Sequence, residues 1–587
     1  MQGVALLTAS AAIVLVQFAS VTLNQRVALV AQAVATLALV AALAGVAALA
    51  RAGRSGPRIG REPLVLALSA WTAAAMLGTC VGLLSHNALS FVAGQALSMG
   101  LLPLGALVGL GLSSRESWRA LARGIVLGAV IACALHLAVW LVATVRGITV
   151  YRLYLPNGVS VAGIAMLALV LALALVEAEL GRRRAALGAA VALILLCIAG
   201  TGTRSLWLVT PVVLLVYAAL SGHLRRFLSP QALLAATLIA AVVVSGTVTA
   251  GRWIVHKAVA SGFRTIVITS VRELPTGLAY EDKGPAFVWS TKNQRGRFVL
   301  TEPNSIRAGR RAKLIAWTFI SGASHAYVGL EWLDRAGASL GASETDLPSK
   351  AQGEFFTAVG TAPPGAEQFR VVAGNRREAA GVVQVMPRML MDLGTHPVIS
   401  AIAQQISVLH GLLATIPAAF DLKHPQEDMS ISFRMVETKR LWALFVAADV
   451  PRKVFGHGLG GTFELGAIGK DNQGNVMVFE RPNYIHNFYL FLLYKLGVVG
   501  TVLVLAALAA FFVIPARAAL RMQRGARRSF LAAAAAAWLA YAIWSVACPE
   551  ILDFHMAPLW GLLVAETIRL RQAQRQDAAP APHSRQA

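Results

Sequence analysis

Runs of about 20 apolar residues recur along this chain, and a run of that length is what a helix needs to cross a bilayer. They fall near 4–23, 27–50, 63–84, 88–112, 122–145, 158–178, 185–200, 205–221, 231–250, 486–515, 529–547 and 554–570. Twelve spanning helices are therefore predicted. The seventh and eighth are short and separated only by Gly200-Thr201-Gly202-Thr203-Arg204, so they read either as two spans or as a broken pair. The first run lacks a basic leader and a second follows almost at once, so it reads as a helix and not as a removed signal. Composition agrees: 57% of the 587 residues are hydrophobic and 14% charged. Soluble domains have about 45–50% apolar and about 25% charged residues. A soluble globular chain and a disordered one are both excluded.

Lys and Arg number 52 against 28 Asp and Glu, a formal charge of +24. These cations are not gathered on one soluble face, as a nucleic-acid binder would require. They sit between the apolar runs, in alternate loops. One set carries Arg51, Arg54, Arg58 and Arg61, then Arg115, Arg119 and Arg123, then Arg182 to Arg184, then Arg225 and Arg226. It continues through Arg517, Arg521, Arg524, Arg527 and Arg528 to a tail with Arg569, Arg571 and Arg575. The short loops of the other set hold only Arg26, Arg146, Arg152 and Arg204. Basic loops stay cytoplasmic, so both termini are predicted inside. All four cysteines (Cys80, Cys133, Cys197, Cys548) lie in or beside apolar runs, which suggests neither a disulfide nor a Cys-based zinc site.

The domain plan follows. Residues 1–250 hold spans one to nine, 251–485 form a polar domain on the far side, 486–571 hold spans ten to twelve, and 572–587 are a disordered cytoplasmic tail. Within the polar domain, short alternating runs at 265–269, 286–289, 297–300, 313–320, 326–330 and 368–373 read as strands. Split by Gly, Pro and Asn turns, they predict a small β-sandwich-like insert at about 262–388. Val398, Ile402, Ile406 and Leu409 recur on one helical face, and Met435, Leu441, Leu444 and Phe445 mark a second helix, giving a helical part at about 395–450.

The interiors of most spans are nearly pure Ala, Leu and Val. Polar groups gather at their outer ends instead. Arg204 opens the eighth span, where a helix N-terminus and a guanidinium fork together suit a phosphate; an interfacial Arg that snorkels to headgroups fits the spacing equally well. Arg434 lies in a basic cluster with Lys439 and Arg440 on the second loop helix. The plainer expectation there is a solvated face with Arg434 paired to Glu437. His486 and Asn487 begin the tenth span in Arg481-Pro482-Asn483-Tyr484-Ile485-His486-Asn487-Phe488-Tyr489. An imidazole at that boundary suits proton transfer from a hydroxyl, although an aromatic-belt His is the commoner occupant. Glu550, Asp553 and His555 cluster in the last outer loop, as a polar turn or a divalent-ion site. His457, in Phe455-Gly456-His457-Gly458-Leu459-Gly460-Gly461, reads as a turn residue; the loop lacks the Gly-Lys-Ser/Thr of a Walker motif.

In order along the chain come many spans, Thr203-Arg204-Ser205-Leu206-Trp207, a large outer loop ending in an Arg-bearing helix, Pro451 and Gly456-His457-Gly458-Leu459-Gly460, then His486-Asn487-Phe488-Tyr489-Leu490 running into Leu496-Gly497-Val498-Val499-Gly500. This order resembles the O-antigen ligase and O-antigen polymerase superfamily of bacterial envelope glycosyltransferases. The motif-bearing likeness covers about 200–220 and 430–505. It implies an all-α polytopic membrane protein of the GT-C-like kind in the bacterial inner membrane, with its active site facing the periplasm. It implies a glycosyltransferase that moves O-antigen polysaccharide from undecaprenyl diphosphate to lipid A-core, with no metal, cofactor or nucleotide sugar. By resemblance, Arg204 and Arg434 hold the donor diphosphate and His486 activates the acceptor hydroxyl. Asn487, Arg440, Arg481 and Tyr484 are the accompanying substrate-binding candidates, with Arg434 and Arg440 competing for one role. The β-rich insert is not a standard part of that family; it reads as a carbohydrate-binding accessory or a spacer. Expected partners are the lipid-linked donor, the lipid A-core acceptor and membrane lipids. Repeat-unit polymerase and protein O-oligosaccharyltransferase remain as acceptor alternatives. A transporter for the same lipid would need polar residues along a path through the membrane, where the sequence is mostly apolar.

Overall fold

In a computed structural model of the chain, the described residues are 62–112, 117–145, 159–200, 204–227, 253–260 except 255, 263–267, 287–290, 296–321, 325–347, 351–376, 382–394, 398–403 except 401, 429–470, 476–481, 485–546 and 556–577. Among them, helices stand at nine of the twelve predicted span positions. Six precede the polar region: α1 (Pro63–Leu84), α2 (Leu89–Leu112), α3 (Ser117–Val145), α4 (Val159–Ala178), α5 (Gly181–Gly200) and α6 (Arg204–Ser221). The predicted spans near 4–23, 27–50 and 231–250 lie outside the described residues. By length and apolarity Pro63–Leu84, Leu89–Gly111, Ser117–Ala138 and Phe488–Arg521 suffice to cross a membrane, with shorter apolar stretches at Ile164–Ala178 and Leu208–Ser221.

The polar region begins with strands. One five-stranded antiparallel sheet runs β1 (Phe263–Val267), β10 (Val382–Leu393), β5 (Arg311–Ser321), β8 (Ala351–Thr361), with β2 (Phe287–Ser290) also on β10. The other runs β3 (Gly296–Val299), β9 (Gln368–Asn375), β6 (Ala326–Leu333), β7 (Ser339–Asp346), with β4 (Asn304–Ser305) on β9. Alternate residues of both sheets meet in one core: Leu314 and Ala316 from the first, Val328, Leu330, Phe369 and Val371 from the second. Two sheets burying one face each against the other make a sandwich. Pro387 has no N–H to give, and the β10–β5 register shifts between Pro387 and Met389.

Strands β4, β7, β8 and β10 escaped the sequence reading, and the insert extends to residue 393, past the expected 388. The reason is compositional. Ser339–Asp346 is a largely polar strand with exposed positions, and Ala351–Thr361 is rich in small residues, so neither carries an apolar alternation. The outer face of the first sheet, with Ile315, Met391 and Leu393, packs on Ala258 and Ala403. Those contacts dock the sandwich on the helical turns around 253–260 and 398–403. The rest of the apolar stripe through Ile406 and Leu409 lies outside the described residues.

Next come α7 (Met429–Ala447) and α8 (Val450–Phe455), the hairpin β11 (Phe463–Lys470) and β12 (Val476–Arg481), and then α9 (Phe488–Arg521), α10 (Ala526–Trp544) and α11 (Ala557–Asp577). Helix α10 is central: Ala532 to Ala537 are all buried, and it packs on α4, α6 and α9. Small side chains there let the neighbouring helices approach closely. Helices α2 and α11 meet the same way. A methyl group on Gly105 would come within 2.3 Å of the Pro558 carbonyl oxygen, and one on Gly561 within 2.1 Å of that of Leu102. Helices α1 and α9 run antiparallel, with Pro63 beside Arg517 and Arg521 at one end and Gly78 beside Leu496 nearer the other.

Candidate functional site

The candidate residues that the structure brings together lie around the start of α9. Asn487 has extended backbone and N-caps that helix: its Oδ1 accepts the N–H groups of Tyr489 at 2.9 Å and Leu490 at 3.1 Å. The Phe488 N–H donates to the Ser545 carbonyl at 2.9 Å, and the Tyr489 hydroxyl to that of Ala542 at 2.5 Å. The helix start is thereby tied to the end of α10. Expected as a substrate-binding group, Asn487 has its side-chain oxygen engaged in capping.

His486 precedes the cap, and its partner is Glu437 of α7. The His486 backbone N–H donates to Glu437 Oε2 at 2.9 Å. The ring Nδ1 lies 3.1 Å from Oε2 and 3.2 Å from Oε1. The Glu437 side chain is 1% exposed and that of His486 20%. An ionised carboxylate only accepts, so Nδ1 carries a hydrogen, and in the neutral ring the lone pair is then on Nε2. This corrects the expectation that Glu437 pairs with Arg434 along its own helix. A buried carboxylate facing an imidazole is an arrangement by which an orienting partner can hold a base.

Arg434 and Arg440 each sit three residues from Glu437, the spacing of helical neighbours. Arg434 is half-buried and Arg440 exposed. Arg204 is the first residue of α6, and Arg481 ends β12. The side chains of Arg204 and Arg481, all of Tyr484, and the Glu550, Asp553 and His555 cluster lie outside the described residues. Among the described residues, no three His, Cys, Asp or Glu side chains converge as metal ligands.

A glycine loop braces this region. Helix α9 is interrupted at Gly497, which has φ 63° and ψ −169°, a region open in practice only to glycine. Beside the break, the carbonyls of Tyr494 and Lys495 accept the loop N–H groups of His457 and Gly458, both at 2.9 Å. Asn87 Nδ2 donates to the carbonyls of His457 and Leu459, each at 2.9 Å, and the Gly460 N–H donates to Gln95 Oε1 at 2.7 Å. The buried Lys495 ammonium donates to the Gly461 carbonyl. Gly82 leaves no room for a side chain, since a methyl there would lie 2.3 Å from the Leu459 oxygen.

His457 has the structural role the sequence suggested. Its ring stacks on Tyr494 with centroids 4.3 Å apart. Its Nε2 is sealed and has no hydrogen-bond partner among the described residues. Burial, then the charges of Arg452 and Lys495, push its pKa down against the opposing pull of Asp449. A sealed nitrogen cannot exchange a proton with a bound molecule, whereas the His486 side chain is 20% exposed.

Glu437, Lys495 and Asn87 were missed as site-building residues. Glu437 is the only acid in a helix with three basic residues, and Lys495 is a lone cation inside an apolar run. Each was a visible anomaly, because an ionisable group placed there needs a partner.

No known family model matches the chain, and no curated protein matches it. One solved structure, the enzymatically active domain of tailspike protein 4 of bacteriophage CBA120, is similar at 14% identity. The likeness covers 22% of this chain and 18% of that one, with a TM-score of 0.14. A likeness so slight carries no argument.

Proposed function

We propose that the chain is a polytopic glycosyltransferase that moves a polysaccharide from undecaprenyl diphosphate to a hydroxyl of lipid A-core. On this reading all twelve predicted spans cross the bacterial inner membrane, both termini are cytoplasmic, and the site faces the periplasm. The observation that carries the proposal is the Glu437–His486 pair at the start of an apolar helix. Glu437 fixes the tautomer, so Nε2 accepts the proton of the acceptor hydroxyl as its oxygen attacks the anomeric carbon. The bond from that carbon to the phosphate oxygen breaks, and undecaprenyl diphosphate departs with the electron pair. Charge grows on the leaving group as this happens. Fixed guanidinium groups stabilise it more in a water-poor cleft than in bulk water, a role given to Arg204 and Arg434. A base opposite the leaving group favours inversion at that carbon.

The test is reconstitution of the full chain with a purified lipid-linked glycan and three separate acceptors: lipid A-core, a second donor molecule and a Ser-containing protein. Glycosylated lipid A-core is the expected product, lost in His486→Ala and Arg204→Ala chains that still insert and elute as folded protein. Product on another acceptor would reassign the substrate. Movement of the lipid across the bilayer with no new glycosidic bond would replace the enzyme with a transporter.

A further inference from the structure

At the opposite end of the same helices, the basic loops converge on a cavity. Arg517 and Arg521 from the last turns of α9 and Arg571 and Arg575 from those of α11 line a space of about 420 Å³, with Pro63 and Ile514 as apolar wall. Among the described residues one carboxylate answers them: Glu62, 2% exposed, ion-pairs with Arg571 and, at 3.0 Å, with Arg575. Among the described residues, four guanidinium charges against one carboxylate leave a local charge of 4 − 1 = +3. Arg517, Arg521 and Arg575 are exposed and Arg571 half-buried, and two helices that start far apart in sequence bring them to line one concavity.

We propose that this cavity binds the phosphate headgroup of an anionic membrane phospholipid. Guanidinium forks match phosphate oxygens two at a time, and basic pockets between membrane helices are suited to anionic headgroups. The occupant is a lipid and not a free anion for a structural reason. Helix α9 is apolar enough to cross a membrane. Ile514 lies one turn deeper along α9 than Arg517, and Leu505 and Val502 are exposed deeper still on the same helix. A phosphate held at the level of the arginines therefore continues naturally into a glycerol and acyl chains along apolar surface. The site is independent of the glycan reaction, and its test does not depend on it.

The experiment is native mass spectrometry of the purified full chain in detergent with dioleoyl phosphatidylglycerol, dioleoyl phosphatidylcholine or inorganic phosphate. The wild-type chain should retain phosphatidylglycerol over phosphatidylcholine by about tenfold or more, and millimolar inorganic phosphate should not displace it. Arg517→Gln with Arg521→Gln should abolish that preference, and Arg517→Lys with Arg521→Lys should keep most of it. Glu62→Gln, which removes the carboxylate, should raise retention, and this decides the matter if the double Gln chain does not fold. Equal retention of the two lipids, displacement by phosphate, an unchanged preference in a folded double Gln chain, or unchanged retention in Glu62→Gln would each overturn the proposal.

Discussion

Glu437 holds His486 at two points, taking its backbone N–H at 2.9 Å while facing its ring Nδ1 at 3.1 Å. The carboxylate fixes both where the residue sits and which ring nitrogen carries the hydrogen.

Glu437→Gln separates those two functions. An amide can turn its NH2 toward Nδ1, which moves the ring hydrogen to Nε2, where it would oppose an incoming hydroxyl. Turnover should fall by about 10²-fold, the scale of a lost general base, while the donor KM changes little. Steady-state kinetics in the reconstituted system reads both, and wild-type turnover by Glu437→Gln would detach this residue from the chemistry.

Asn487→Ala removes the cap of α9 and should cost about 1 kcal/mol. Asn487→Asp or Asn487→Ser should recover most of it, because either oxygen can accept from Tyr489 and Leu490. Thermal unfolding of the purified chain in detergent distinguishes capping from substrate contact: a capping role moves the midpoint for Ala alone.

Gly497→Ala should leave little folded protein. The backbone conformation there costs a side-chain-bearing residue about 1–3 kcal/mol, and the added carbon would lie 2.4 Å from the Val454 oxygen and the Gly456 nitrogen. Gly94→Ala is the matched control, since its methyl would meet nothing within 4 Å. Size-exclusion profiles of the two chains should differ sharply.

Lys313 predicts a pH effect in the sandwich. Burial, then the charge of Arg311, lowers its pKa to about 7. Between about 7 and the ordinary lysine value of about 10.4, the unfolded chain binds the extra proton, so this residue makes stability rise with pH across that window. Below it both states are protonated and the full cost of the buried charge remains. Lys313→Met should raise the unfolding midpoint at pH 7 and flatten the rise from pH 7 to 10. A parallel rise in both chains would refute the assignment.

What the sequence revealed was what is encoded locally. Apolar runs such as 63–84 report their helix within one window, and α1 occupies the same residues. The start of α9 was legible to within two residues for the same reason. The β-sandwich was recognisable where alternation was strong, as at 313–320, and missed at β7 because a polar strand at a sheet edge looks like loop. The site was less legible because its contacts are distant in sequence. Glu437 meets His486 across 49 positions, and Asn87 meets the His457 carbonyl across 370. On a helix with Arg434, Lys439 and Arg440, the local expectation was an intrahelical pair, and a tertiary contact prevailed over it.

The break at Gly497 shortens the lever that carries the imidazole. His486 stands at the head of a stub ending at Leu496, clamped behind by the 457–458 amides, which are themselves seated on α1 at Gly78 and Gly82. A wedge driven between that loop and α1 would therefore tilt the His486 ring without touching it, so small-residue positions on a distant helix set its aim.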